Sequence, residues 1–118
     1  MAKVLIVDDS KLIRNIIKDE LKKKGHQIVA EATNGKEAIE FFKDKSPDLI
    51  TMDITMDEMD GLEAIKEIYK IDSKAKIIVV SALGQDELIN SAIDMGVLDF
   101  IIKPFEPERL INSVNKAL

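Results

Sequence analysis

Five short runs rich in Val and Ile alternate with five segments of helical period, and this rhythm restricts the fold more than any other feature of the chain. The runs are Lys3–Val7, Gln27–Ala32, Asp48–Met52, Lys76–Val80 and Asp99–Ile102. They are nearly continuous in apolar character, as expected of parallel strands buried on both faces. The second is interrupted by Glu31, which predicts an edge position. Between the runs the period lengthens. Leu12, Ile13, Ile16, Ile17 and Leu21 predict one buried helical face, with Arg14, Lys18 and Glu20 turned mostly outward. Similar stripes follow at Ala38–Ile39–Phe42, Leu62–Ile65–Ile68–Tyr69, Leu88–Ile89–Ala92–Ile93 and Leu110–Ile111–Val114.

Punctuation supports these limits. Gly25 follows the first helix, Asn34-Gly35 and Asp60-Gly61 precede the second and third, and Gly96 closes the fourth. Pro107 suits the first turn of the last. A (βα)5 alternation predicts an α/β fold, a doubly wound five-stranded parallel sheet with helices on both faces. Five strands are too few for an eight-stranded barrel. No repeat or linker interrupts the pattern, so residues 1–118 are expected to form one domain.

Composition excludes several function classes. The chain has no cysteine and a single histidine, which removes disulfides, thiolate chemistry and histidine-cluster metal sites. A net charge of -5 argues against binding a phosphate backbone. The basic run Lys22-Lys23-Lys24 falls at a helix end, where cations complement the helix dipole. His26 reads as a surface turn residue and the methionines Met52, Met56, Met59 and Met95 as packing. No apolar run approaches the roughly 20 residues of a membrane span, and the first strand begins too early for a signal peptide. A cytoplasmic protein is expected, without nucleic-acid or membrane partners.

In an open parallel sheet, ligands bind beyond the carboxyl ends of the strands. The first strand delivers Asp8-Asp9 to that edge, the third Asp53, the fourth Ser81 and the fifth Lys103-Pro104. An aspartate after a strand ordinarily caps the next helix or shapes a turn. Three of them converging with a hydroxyl and an ammonium point instead to charge chemistry. Crowded carboxylates repel and need a cationic partner. A hard ion such as Mg2+, which takes oxygen ligands, and Lys103 both qualify. The same inventory suits phosphoryl transfer to a carboxylate nucleophile. Asp53, a single carboxylate on the third strand, is the better candidate for the acceptor on geometry.

The stretches Val4-Leu5-Ile6-Val7-Asp8-Asp9-Ser10, Met52-Asp53-Ile54-Thr55-Met56, Met59-Asp60-Gly61, Ser81-Ala82 and Lys103-Pro104-Phe105 resemble the receiver domains of two-component response regulators, in order over essentially the whole chain. Within that family the chain is most similar to stand-alone chemotaxis members. The resemblance implies a flavodoxin-like sheet of order 2-1-3-4-5. It further implies Asp53 as phosphoacceptor from a histidine kinase. Asp9 and Asp53, with the carbonyl of Thr55, would be Mg2+ ligands, and Asp8 would act largely through metal-bound water. Lys103 would pair with the carboxylate and then the phosphoryl group, across a cis Lys103–Pro104 bond. Ser81 and Phe100 would form the switch, and a protein target would dock on the face of the fourth helix, fifth strand and fifth helix. A monomer that assists its own phosphorylation and dephosphorylation, without being an enzyme in the ordinary sense, is expected.

Two departures stand out against the family pattern. Asp57 occupies a position that is often proline, adding charge with Glu58 in the loop after the acceptor. Phe100 stands where bacterial chemotaxis members carry tyrosine; a phenylalanine in a strand is otherwise simply core. Three other readings remain open on the sequence. Asp-nucleophile phosphatases of the haloacid dehalogenase class share the chemistry, but their Asp-x-Asp-x-Thr run is here Asp8-Asp9-Ser10. A flavodoxin-like flavin binder would need a phosphate loop where the two aspartates stand. A receiver cut from a longer transcription factor is the third, with no DNA-binding segment in the sequence up to Leu118.

Overall fold

The computed structural model describes residues 1–55 and 60–118. Asp57 and Glu58, together with Met56 and Met59, lie outside the described residues. Ten elements alternate in order: β1 (Lys3–Val7), α1 (Lys11–Lys23), β2 (Gln27–Ala32), α2 (Gly35–Lys45), β3 (Leu49–Asp53), α3 (Gly61–Ile71), β4 (Ile77–Ala82), α4 (Asp86–Met95), β5 (Asp99–Lys103) and α5 (Pro107–Ala117). The strands form one parallel sheet of order β2-β1-β3-β4-β5. β2 is therefore an edge, as Glu31 suggested.

Side chains alternate across each strand, so the sheet builds two cores. Leu5, Val7, Ile50, Met52, Ile77 and Val79 face α2, α3 and α4, meeting Phe42, Ile65, Ile68 and Ile89. Val4, Ile6, Leu49, Ile78, Val80 and Ile101 face α1 and α5, meeting Ile17, Leu21, Leu110 and Val114. Burial on both faces explains why the central strands read as unbroken apolar runs.

The α1 stripe is narrower than predicted and is rotated. Leu12 and Ile16 are 68% and 39% exposed, whereas Ile17 and Leu21 are buried. Each residue turns about 100° around a helix. Leu12 and Ile16 therefore swing away from the Ile13–Ile17–Leu21 line on one side, while Arg14 and Lys18 swing toward β2 on the other. Arg14, expected to face out, has a side chain only 13% exposed.

Helix starts follow the sequence signals. The side chains of Ser10, Asn34 and Asp60 accept from the backbone N–H groups of Ile13, Glu37 and Glu63, at 3.3, 2.8 and 2.8 Å. Ser10, not Asp8 or Asp9, caps α1, so neither aspartate is held there by a capping role. Gly61 has a further reason to be glycine: a Cβ there would overlap the carbonyl of Asp53 and the Cα of Ile54. The first turn of α3 thus sits directly on the end of β3.

Two minor expectations change. His26 is half-buried and not a free surface residue, because its Nδ1 accepts from the Ala2 amide at 3.1 Å. Burial, followed by the nearby N-terminal charge, lowers its pKa. Met95 lies at the surface rather than in the packing, while Met52 is core. Lys22, Lys23 and Lys24 are exposed at the end of α1, as predicted.

Candidate phosphoryl-transfer site

β1 and β3 are hydrogen-bonded neighbours, with Val7 opposite Met52, so their last residues arrive side by side. Asp8 and Asp53 are buried and Asp9 is exposed. The three carboxylates each place an oxygen within 4.8 Å of the others. All are hard oxygen donors, and the exposed Asp9 leaves one side of the cluster open to water. That donor set fits a cation that keeps part of its hydration shell.

Lys103, from the end of β5, reaches across the sheet edge with a side chain 17% exposed. Its Nζ lies 2.7 Å from Asp8 Oδ2 and 3.4 Å from Asp53 Oδ2. The Asp8 contact is a close ion pair, and among the described residues Oδ2 has no further hydrogen-bond donor. Burial alone would lower the Lys103 pKa, but the two carboxylates outweigh it and raise it. Asp53 moves the other way from an ordinary paired aspartate. Burial raises its pKa, and the adjacent Asp8 charge adds to this against the Thr55 and Lys103 contacts. One ammonium does not compensate two buried carboxylates.

Turns fix the directions of both groups. Asp8 Oδ1 accepts from the Ser10 amide at 2.9 Å. Asp53 Oδ1 accepts from the Thr55 amide and hydroxyl at 3.0 and 3.1 Å. The turn role that competes with ligand duty for an aspartate is thus present, on one oxygen of each, while the second oxygens point to Lys103. Ser81 is fully buried at the end of β4, its Oγ donating to the Ala82 carbonyl at 3.3 Å. The Lys103–Pro104 peptide is cis.

Asp8, Asp9, Asp53, Thr55 and Lys103 therefore come together, with Ser81 on the neighbouring strand end. Phe100 does not. It is 37% exposed on edge strand β5 and so is not a core residue. Two polar groupings escaped the sequence reading. Arg14 donates to the Asp8 carbonyl at 2.8 Å, and the only sequence signal was an arginine beside the apolar stripe of α1. Asp99 is bound by the two terminal Arg109 nitrogens at 2.9 and 3.1 Å and by Ser113 at 2.7 Å, joining β5 to α5. Those partners are 10 and 14 residues away, and helix-face spacing alone did not single them out.

Comparison with known proteins points to one family. The response regulator receiver domain family matches residues 4–115. The chemotaxis protein CheY of Thermotoga maritima is 54% identical over 115 residues, spanning 98% of this chain and 96% of that protein. CheY of Bacillus subtilis is 53% identical over 116 residues, spanning 98% and 97%. Among solved structures, a chain of the CheX–CheY–BeF3–Mg2+ complex from Borrelia burgdorferi superposes with a TM-score of 0.92 at 33% identity, over 97% of this chain and 87% of that one. No described helix is long and apolar enough to cross a membrane. With its strand order, its aspartate cluster and its match over residues 4–115, the chain belongs to the response-regulator receiver domain family.

Proposed function

We propose that residues 1–118 act as one phosphorylatable signalling switch, in which Asp53 takes a phosphoryl group from the phosphohistidine of a sensor kinase. The observation that carries this reading is the buried Asp53 carboxylate, within ligand distance of Asp8 and Asp9 and 3.4 Å from the Lys103 ammonium. In the transfer, a carboxylate oxygen of Asp53 forms the new P–O bond as the P–N bond to the donor imidazole breaks. Asp8, Asp9 and Asp53, with the Thr55 carbonyl, would hold Mg2+. That ion, when bound, neutralises charge on the phosphoryl oxygens and on the attacking carboxylate.

The chain's own residues do the rest. Lys103 follows the charge from carboxylate to phosphoryl oxygen. The Thr55 amide and hydroxyl orient Asp53 through Oδ1. Among the described residues the Ser81 hydroxyl has only its neighbour's carbonyl as partner, a 3.3 Å bond readily exchanged for a phosphoryl oxygen. A new dianionic group would draw Ser81 inward and free space for Phe100, now exposed, to turn in. The output would be docking of a protein target on the α4–β5–α5 face of a monomeric, cytoplasmic switch. The likeness to CheY proteins supports a role in chemotaxis or motility. A receiver belonging to a longer regulator is the second reading, supported by a 37% identical mycobacterial transcriptional regulator, PdtaR, of which this chain spans 56%.

Acetyl phosphate with Mg2+ should add one phosphoryl group, read by intact mass spectrometry. Asp53→Asn should abolish the addition. Undiminished labelling of that variant would remove Asp53 as the acceptor.

A further inference from the structure

Asp8 is held by hydrogen bonds at three polar atoms and by an ion pair at the fourth. Its amide donates to the Ala32 carbonyl at 3.0 Å, Oδ1 accepts from Ser10, and Oδ2 faces Lys103. Its carbonyl accepts from Arg14 Nη1 at 2.8 Å. The guanidinium is itself oriented: Arg14 Nε donates to Glu31 Oε1 at 3.2 Å, and Lys18 holds Glu31 Oε2 at 3.1 Å. Glu31 lies on β2 beside the end of β1, opposite Ile6. A chain of contacts therefore runs from edge strand β2, through one face of α1, to the backbone of the turn that presents Asp8 and Asp9.

We propose that Arg14, set in place by Glu31 and Lys18, is a positioning residue that fixes the Asp8-Asp9 turn for cation binding at the carboxylate cluster. This rests on the reading of that cluster as a Mg2+ site. A guanidinium suits the task because its planar fork donates to a carbonyl and a carboxylate at once, which one lysine ammonium does not reproduce in fixed geometry. Outer contacts of this kind commonly govern the affinity of the ligands they orient.

The sign of the effect separates positioning from charge. Arg14 is a cation beside a site for a cation, so electrostatics alone would make Mg2+ bind more tightly once it is removed. Positioning predicts the reverse. Calorimetric titration of the unphosphorylated protein with Mg2+ should show affinity about ten-fold weaker in Arg14→Ala. Arg14→Lys, which keeps the charge and the fold, should also weaken it, and Glu31→Gln should fall between that variant and wild type. In metal-free protein, NMR hydrogen exchange at the Asp8 and Ser10 amides should quicken in Arg14→Lys. Unchanged or tighter Mg2+ binding in Arg14→Lys, or unchanged exchange at those two amides, would overturn the role of Arg14 alone. No Mg2+ uptake by wild type would overturn the reading of the cluster, and the inference with it.

Discussion

Two acidic groupings on the same sheet use nearly the same parts and settle in opposite states. At the carboxyl end of β3, Asp53 has a cation, a hydroxyl and a backbone amide around it, yet burial and the neighbouring Asp8 raise its pKa. At the start of β5, Asp99 also has a cation, a hydroxyl and a backbone amide. Its pKa is lowered to about 2, chiefly by the hydrogen-bonded Arg109 guanidinium. The difference lies in stoichiometry. Asp99 shares its bidentate arginine with a neutral carbonyl, that of Phe100, while Asp53 and Asp8 share one lysine. A fully compensated carboxylate is a clamp; an under-compensated one has residual affinity for a further cation.

That contrast can be broken most severely at Lys103. Replacing it with Met leaves two buried carboxylates without a counter-charge, a change expected to destabilise metal-free protein by about 3 kcal/mol. Denaturant unfolding would read this loss, and saturating Mg2+ should restore part of it. If the stability were unaffected, the two aspartates would not be sharing that charge.

The clamp gives the next effect. Asp99→Asn should cost about 1 kcal/mol at neutral pH, since the pair is partly screened by solvent. Its depressed pKa fixes the pH window. Stability from Asp99 is fully present above the unfolded-state value near 4 and is lost as pH falls toward about 2. Wild type and variant should therefore converge in that interval. Parallel acid titrations of the two proteins by circular dichroism, with no convergence, would separate Asp99 from the clamp.

At Asp53 the sign reverses. A raised pKa means the folded state prefers the protonated acid, so ionised Asp53 is a burden at neutral pH. Asp53→Asn should stabilise metal-free protein by about 1 kcal/mol, while losing the response to Mg2+. The smallest effect belongs to the exposed Glu20–Lys23 pair on α1, where Lys23→Ala should move stability by less than about 0.5 kcal/mol.

Much of this was legible because parallel-strand topology sends particular residues to one edge. Asp8, Asp53 and Lys103 end or follow a strand and Ser81 is next to last in one, so strand assignment was enough to gather them. Small boundary shifts, such as β3 beginning at Leu49 and including Asp53, did not alter that edge. Helix faces were read less well. The apolar stripe of α1 placed Arg14 outside, because periodicity records where hydrocarbon goes and not which neighbour waits beside it. Leu12 and Ile16 carried the opposite error, apolar residues left uncovered at the rim of the stripe. Phe100 was open between core and switch, and a strand propensity could not distinguish an edge strand's outer face from its inner one.

The most direct measurement is the pH titration of the Asp53 and Asp99 side-chain carboxyl carbons by NMR in metal-free protein. Asp53 should titrate above the ordinary aspartate range and Asp99 near 2, with Mg2+ drawing the Asp53 midpoint down and leaving Asp99 where it is. Equal midpoints, or an Asp53 midpoint indifferent to Mg2+, would contradict an under-compensated carboxylate at the end of β3.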